Sequence, residues 1–169
     1  MRKQHSPRRS LSEAQRRSWK ALFIVSHLVS ESIDDALARA GLDTQPEYDL
    51  LYTLQQAPGG TLTLKELAAS MTLSHSGLSR MVDRLEKRGY VARCGVETDK
   101  RAVGIRLLDV GAKRVSEVWG VVSATLQERY AGALTEAEHK ELLRLIEKVA
   151  HPLIEAKEKE TGLPFLHRL

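Results

Sequence analysis

Residues 61–108 read TLTLKELAASMTLSHSGLSRMVDRLEKRGYVARCGVETDKRAVGIRLL, and this stretch decides the fold. In two consecutive segments its apolar residues have helical spacing. In the two segments that follow, on either side of a charged turn, they have the spacing of β-strands. That order predicts two short helices in tandem followed by a β-hairpin, which is typical of a winged helix-turn-helix, a fold that binds duplex DNA.

The first of these helices has a clear beginning at Thr63. Glu66 follows three residues later, so the two side chains can satisfy each other's free backbone N–H groups in a capping box, worth about 1 kcal/mol. The helix has one apolar stripe, formed by Leu64, Leu67, Ala68 and Met71. Only Thr72 and Leu73 separate it from Ser74, the predicted cap of the next helix, and so short a turn makes the two helices cross steeply.

The second helix is predicted to be the recognition helix, which enters the DNA major groove. Its buried stripe is expected to consist of Leu78, Met81, Val82 and Leu85. The outward face is small and hydroxylated at its start and basic further on, which lets the backbone approach the base edges while longer side chains reach guanine or phosphate. The predicted major-groove contacts are Ser74, Ser76, Ser79, Arg80 and Arg84.

The segment that follows Gly89 predicts a hairpin. Val103, Ile105 and Leu107 alternate onto one face of its second strand, and Lys100 and Arg101 lie at its charged tip. Such a hairpin is a wing that can place a cation on a phosphate or in a narrow minor groove. We therefore predict Lys100 and Arg101 as the wing's DNA contacts.

Charge is concentrated where nucleic acid would lie. The first twenty residues carry a net charge of +6 and residues 74–106 carry +4, whereas the whole chain carries +4. The rest of the chain is therefore acidic, and a generally basic coating is excluded. Residues 1–11 are interpreted as a basic arm that either contacts phosphate or is simply solvated.

Long helices flank the winged-helix segment on both sides. An N-terminal helix is predicted for residues 12–41, a winged helix-turn-helix domain for 44–108, and further helices with a tail for 109–169, with Asp109 as the cap that opens them. Capping boxes at Ser12/Gln15, Thr44/Glu47 and Thr135/Glu138 mark three of the helix starts. The fold class is thus mainly α with a small β-hairpin wing and flanking dimerisation helices, because the long apolar stripes exceed what one small domain can cover. A monomer with a larger core is the alternative.

These motifs resemble the MarR (multiple antibiotic resistance regulator) family of winged-helix transcription factors. The resemblance rests on residues 47–51, 64–68 and 79–91, and on Asp99-Lys100-Arg101 followed by residues 105–107. One departure is Leu107-Leu108 where the family usually has Leu-Thr. The resemblance implies a homodimer that binds a pseudo-palindromic DNA operator, with half-sites about 10 bp apart, and that is released by a small-molecule effector, often an anionic aromatic compound.

A subset resembling the urate-responsive members suggests one specific ligand site. Asp49, Arg80 and Arg93 match positions of that subset, and Trp19 matches loosely. An Asp49–Arg93 ion pair would hold the domain to its scaffold until an anion competed for an arginine. The same pair could instead be a purely structural salt bridge, with Trp19 a core residue.

Other functions have weaker support in the sequence. Cys94 could be a redox switch, although a packed wing cysteine is the simpler interpretation, and His27 and Glu31 with His139 or His151 do not form a tight zinc motif. No nucleophile–base motif or phosphate loop is present, so we expect neither an enzyme nor a cofactor. With one cysteine and no membrane segment or secretory signal, we expect a cytoplasmic protein. A winged-helix module that binds a protein partner instead of an operator is the alternative function.

Overall fold

The computed structural model describes residues 10–71, 75–96 and 99–164, which form helices and one small antiparallel sheet. The helices are α1 (Glu13–Arg39), α2 (Gln45–Gln56), α3 (Leu64–Ser70), α4 (His75–Lys87), α5 (Asp109–Arg129) and α6 (Glu136–Thr161). The strands are β1 (Thr61–Thr63), β2 (Val91–Val96) and β3 (Asp99–Leu107). This is the winged-helix architecture that the sequence predicts, with long helices on both sides of the winged part.

Helix starts follow the local signals closely. Capping boxes form at the N-termini of α1, α2, α3 and α6, as their spacing predicts. The prediction that Asp109 caps α5 is wrong, because Leu108 occupies that position without a side-chain hydrogen bond. Asp109 instead lies in the first turn, where its carboxylate still interacts favourably with the helix dipole.

Strand β3 is the centre of the sheet, with β1 and β2 on either side. Thr61 pairs with Arg106 and Val91 pairs with Leu107, both antiparallel, and the β2–β3 pairing is irregular between Gly95 and Val96. Strand β1 lies at one edge of the sheet. The face of β3 that the alternation predicts is only partly buried, because Ile105 is fully buried while Val103 is 46% exposed.

The core of the winged-helix part is built from aliphatic side chains of α2, α3, α4 and the sheet. Its fully buried members include Leu50, Leu54, Leu67, Leu78, Leu85 and Ile105. The last turns of α1 and the first half of α5 complete it with Leu37 and Val118. Helix α4 is thus fixed from behind, and its opposite face is left to solvent.

Helices α1 and α6 have a different character. Ile33 and Leu37 are buried in α1, and no residue of α6 is buried. Several of their large apolar side chains are exposed: Trp19, Phe23 and Leu28 in α1, and Leu145, Val149 and Leu153 in α6. Within this single chain their apolar stripes are uncovered.

Helix α5 meets the start of the wing at Gly111. A Cβ at this position would overlap the carbonyl of Tyr90, and the same carbonyl accepts a hydrogen bond from the Leu108 backbone N–H at 3.0 Å. Glycine is required here because backbone lies directly against backbone. The junction brings α5 into contact with the segment that joins α4 to β2.

Candidate nucleic-acid interface and ligand cavity

Helix α4 has one apolar and one polar face. Its buried residues are Leu78, Met81, Val82 and Leu85, as their spacing predicts. On the opposite face Ser76, Arg80 and Arg84 are exposed and Ser79 is half-buried. Small side chains therefore come first along this face and arginines follow, which suits close approach to a groove.

Three of the predicted DNA contacts cannot be placed in detail. Ser74 lies outside the described residues, as does the predicted two-residue turn before it. Lys100 and Arg101 belong to β3, but their side chains are outside the described part of the chain. Their position on the hairpin beside α4 follows from the pairing of β3 with β2.

The two exposed arginines of α4 are held differently. The Nε of Arg80 donates a hydrogen bond to the carbonyl of Ser76 at 3.3 Å, one turn back in the same helix. The Nε of Arg84 donates to Oε1 of Glu47 in α2 at 3.2 Å, and the Arg84 side chain remains 56% exposed. A charged partner from another helix thus fixes Arg84, whereas Arg80 has local support from its own backbone.

Arg93 of β2 is paired with α4 and not with Asp49. Its Nη2 lies 2.6 Å from Oδ1 of Asp83, its Nη1 contacts the Glu86 carboxylate, and its backbone N–H donates to Glu86 at 2.9 Å. The hydrogen bond that Arg93 donates to Asp83 is the main reason that the pKa of Arg93 is raised. The suggested Asp49–Arg93 pair is therefore replaced by two ion pairs that fasten the wing to the recognition helix.

Two acidic residues around the start of α2 form an ion-pair cluster that the sequence reasoning missed. Asp43 and Glu47 are both buried, and between them they bind Arg84 of α4 and Arg88, which directly follows α4. Arg88 contacts both carboxylates and lies over the ring of Tyr90, 4.8 Å from its centroid. A buried carboxylate is tolerated only when it is paired in this way.

The cluster extends to α5 through Arg114. Its Nε pairs with Asp43, and its Nη1 donates to Glu117 at 2.8 Å. Asp43 therefore joins the recognition helix to α5. A sequence signal for this cluster existed in the matched four-residue spacings of Asp43 with Glu47 and of Arg84 with Arg88, although spacing alone does not say which residues pair.

A cavity of about 720 Å³ lies between α1, α2, α5 and α6. Most of its lining is aliphatic, including Leu22, Val29, Leu126 and Ile146. Its polar side chains are three serines of α1, three residues at the start of α2, and Tyr130, and none of its described lining residues is Lys, Arg or His. The cavity therefore suits a largely apolar molecule that carries no negative charge.

One of the four predicted ligand residues lines this cavity. Asp49 contributes to its wall, whereas Trp19, Arg80 and Arg93 do not. Trp19 is 64% exposed and stacks loosely on Phe23, with 6.4 Å between ring centroids. The structure therefore does not bring these four residues together around one cavity.

Tyr48 lies beside Asp49 in the cavity wall and is itself buried. Burial, followed by the proximity of Tyr52 and the charge of Asp49, raises the pKa of Tyr48 to about 12. Its hydroxyl is therefore protonated over the physiological range and can donate a hydrogen bond. The sequence reasoning did not single out Tyr48.

The described residues do not form the redox or zinc site that the sequence analysis considered. The Cys94 sulfur is half-buried and lies 3.6 Å from the Gly104 carbonyl oxygen. His139 contacts the Ala131 carbonyl through Nε2, and no group of three potential metal ligands occurs within the described ranges. Within the same ranges, no helix has the length and apolar character needed to cross a membrane.

Comparisons with known proteins agree with this architecture. A sequence model described as the MarR family matches residues 40–102. AbsC, a MarR family transcriptional regulator from Streptomyces coelicolor, has 24% identity and a TM-score of 0.75, over 86% of this chain and 97% of AbsC.

Two similar structures contain DNA. Sco3205, a MarR family transcriptional regulator from Streptomyces coelicolor in complex with DNA, has 27% identity and a TM-score of 0.75, over 85% of this chain and 94% of that one. A mutant MarR from E. coli complexed with operator DNA has 26% identity and a TM-score of 0.66, over 77% and 91% of the two chains. By its sequence match over residues 40–102 and by these structural matches, the chain is similar to the MarR family of transcriptional regulators.

Proposed function

We propose that this protein is a dimeric, sequence-specific DNA-binding regulator that represses transcription until a small molecule releases it. The observation that carries the proposal is the polar face of α4, on which Ser76, Arg80 and Arg84 stay exposed while its apolar face is buried. Serines allow close approach to base edges, and arginines can donate two hydrogen bonds to guanine. Two solved relatives of this fold are bound to DNA, which supports the same use here.

Dimerisation is supported by the uncovered stripes of α1 and α6. A helix as long as α6, with no buried residue, gains little from the rest of its own chain. A second copy would cover both stripes, at about 25 cal/mol per Å² of apolar surface before entropic costs. We assign residues 12–41 and 109–169 to dimerisation and residues 44–108 to DNA binding.

The operator should reflect that symmetry. A two-fold dimer presents two copies of α4, so the site should be pseudo-palindromic with half-sites about 10 bp apart. Arg84 and Arg80 would read bases, while Lys100 and Arg101 of the wing would bind the backbone or minor groove. A protein-binding module is less well supported, because an interface core is usually depleted of charge.

Release by a ligand is supported by where the cavity lies. Gln45, Tyr48 and Asp49 line it, and Glu47 in the same turn binds Arg84 of the recognition helix and Arg88 directly after it. A ligand that moved this turn would disturb the placement of α4. Among the described residues, the lining holds no basic side chain, which favours an uncharged or cationic apolar effector over the anionic aromatic compound expected from the family.

The first experiment is selection of duplexes from random-sequence DNA by the full-length protein, followed by footprinting of the promoter upstream of its own gene. We expect a protected pseudo-palindrome whose affinity falls steeply with salt because counterions are released. Arg84→Ala should weaken binding to that duplex more than to a shuffled one, and Arg101→Ala should weaken both and flatten the salt dependence. Failure of the protein to enrich any duplex would refute the proposed function.

The effector is tested by repeating the footprint with matched compounds. Salicylate and urate are anionic, salicylamide is the uncharged counterpart of salicylate, and tetraphenylphosphonium is an apolar cation. We expect protection to be lost with the uncharged or cationic compound before it is lost with either anion. The reverse order would restore the anionic interpretation.

A further inference from the structure

We propose that Glu47 is a positioning residue for DNA recognition: it orients Arg84 for contact with a base without touching DNA itself. This inference rests on the proposed function, since it concerns how the DNA-reading helix is set. It assigns a role to a residue that the sequence interprets only as part of a capping box.

Glu47 is rigidly held before any arginine is considered. It is the third residue of α2, and its Oε2 accepts a hydrogen bond from the backbone N–H of Thr44 at 3.4 Å. Its side chain is only 8% exposed. A carboxylate that is buried and fixed to its own helix end is a stationary reference point for any side chain that binds it.

Arg84 of α4 and Arg88, which directly follows this helix, use the carboxylate in different ways. Arg88 donates from Nη1 to Oε2 of Glu47 at 3.4 Å, and its other terminal nitrogen pairs with Asp43. Both ends of its guanidinium are therefore engaged inside the protein. Arg88 fixes α4 to α2, and it is not available to a ligand.

Arg84 engages Glu47 through Nε alone, at 3.2 Å, and its side chain is more than half exposed. Within the described part of the chain its two terminal nitrogens, Nη1 and Nη2, donate no hydrogen bond. A guanidinium can present either its Nε edge or its Nη1/Nη2 end. Because Glu47 occupies the Nε edge, the end-on pair is left for O6 and N7 of a guanine.

The negative charge of Glu47 should repel the DNA phosphates only weakly. An exposed carboxylate near the groove would repel phosphates, but this one is buried and neutralised by two arginines. Its effect on DNA should therefore be transmitted through the orientation of Arg84, which lowers the ordering cost of the contact. Arg80 has no such acidic partner in the described structure, so the same dependence is not expected there.

The test compares Glu47→Gln with Glu138→Gln in the full-length protein. Glu138 is the matched control because it is the third residue of α6 and forms the same capping box, with Thr135 donating at 2.8 Å. The probes are a duplex selected by the wild-type protein from random-sequence DNA and a shuffled duplex of the same composition. Glu47→Gln should lower affinity for the selected duplex by about tenfold and leave the shuffled one nearly unchanged; Glu138→Gln should change neither.

A double-mutant cycle separates orientation of Arg84 from general damage. In an Arg84→Ala background, Glu47→Gln should cause no further loss on the selected duplex. An equal loss on both duplexes, or a further loss in the Arg84→Ala background, would overturn the proposal and leave Glu47 as a structural residue. If the wild-type protein selects no duplex at all, the proposed function fails instead.

A second variant keeps the test decisive if Glu47→Gln does not fold. Arg84→Lys keeps the charge at an exposed site but lacks the two-nitrogen end, so it should lose discrimination between the two duplexes by about tenfold. Discrimination equal to that of the wild type would show that the orientation of the guanidinium is not used.

Discussion

Helices of the winged-helix part and the outer helices α1 and α6 begin with the same local signals, but they differ in how far their apolar residues are buried. Capping boxes open helices in both regions. In the winged-helix part the apolar stripes pack into the core, with Leu67 and Leu85 fully buried, whereas α6 has no buried residue. The difference teaches that local helix signals are independent of where a helix finds its partner, and it supports the proposal that α1 and α6 pack against a second copy of the chain.

The most forceful way to break this comparison is to place a charge on the exposed stripe. Phe23→Glu should abolish dimerisation, since burying an ion costs several kcal/mol and a two-fold interface carries the change twice, raising the dimer dissociation constant by about 10⁴-fold. Analytical ultracentrifugation would measure it. Lys20→Glu, which places the same side chain on the polar face of α1, is the control. A Phe23→Glu protein that stays dimeric would show that this stripe is not the interface.

The next largest effect concerns the free energy of unfolding, which should depend on dimerisation for α6 but not for the winged-helix part. Leu85→Ala should lower the free energy of unfolding by about 3 kcal/mol, because it leaves a cavity in a core that one chain completes. Urea denaturation should give this loss in both the parent and the Phe23→Glu background.

Leu145→Ala is the companion measurement on α6. Its loss should be substantial in the parent, yet below about 0.5 kcal/mol in the Phe23→Glu background, where the side chain is exposed in both states. Equal losses in the two backgrounds would mean that α6 is covered within its own chain.

A smaller effect is expected at the junction of the two regions. Asp43→Asn should cost about 2 kcal/mol, because it removes a buried charge that pairs Arg88 with Arg114, two arginines that retain partial exposure. Glu117→Gln, which removes the exposed partner of Arg114, should stay within about 0.5 kcal/mol. Thermal unfolding would compare them, and a similar cost for both would mean that burial of Asp43 contributes nothing.

The smallest effect is spectroscopic and concerns the cavity wall. Because the pKa of Tyr48 is raised to about 12 in the folded protein, against about 10 for an unfolded tyrosine, it stabilises the fold below pH 10. That contribution should disappear as the pH rises from 10 to 12. Ultraviolet titration of the phenolates should show a late-titrating tyrosine that Tyr48→Phe removes. Titration curves of the same shape in both proteins would contradict the burial of this hydroxyl.

Sequence patterns predicted those features whose causes are local. Thr63 and Glu66, or Thr135 and Glu138, are close in the chain, so their spacing alone specifies a helix start. The alternation around Ile105 likewise predicted the wing strand and its pairing partner. The exposure of Val103 was missed because it depends on what else packs on that face of the sheet.

Ion-pair partners could not be predicted from the sequence in the same way. Arg93 could pair with several acidic residues, and only the packing of β2 on α4 selects Asp83 and Glu86 over Asp49. Asp43 was missed for a similar reason, because its four-residue spacing from Glu47 does not say which arginines either carboxylate pairs with. The cavity depends on four helices meeting, which no single stretch of sequence records.

Because Gly111 of α5 contacts the Tyr90 carbonyl, a rotation of α5 would move the segment that joins α4 to the wing. The 21 residues of α5 span about 30 Å, and its first turn lies against the segment that leads from α4 into the wing. A tilt of about 10° at the far end of so long a rod would displace the near end by about 5 Å. Since a duplex repeats every 34 Å or so, so small an angular change in the proposed dimer would take both copies of α4 out of register with the grooves of the operator.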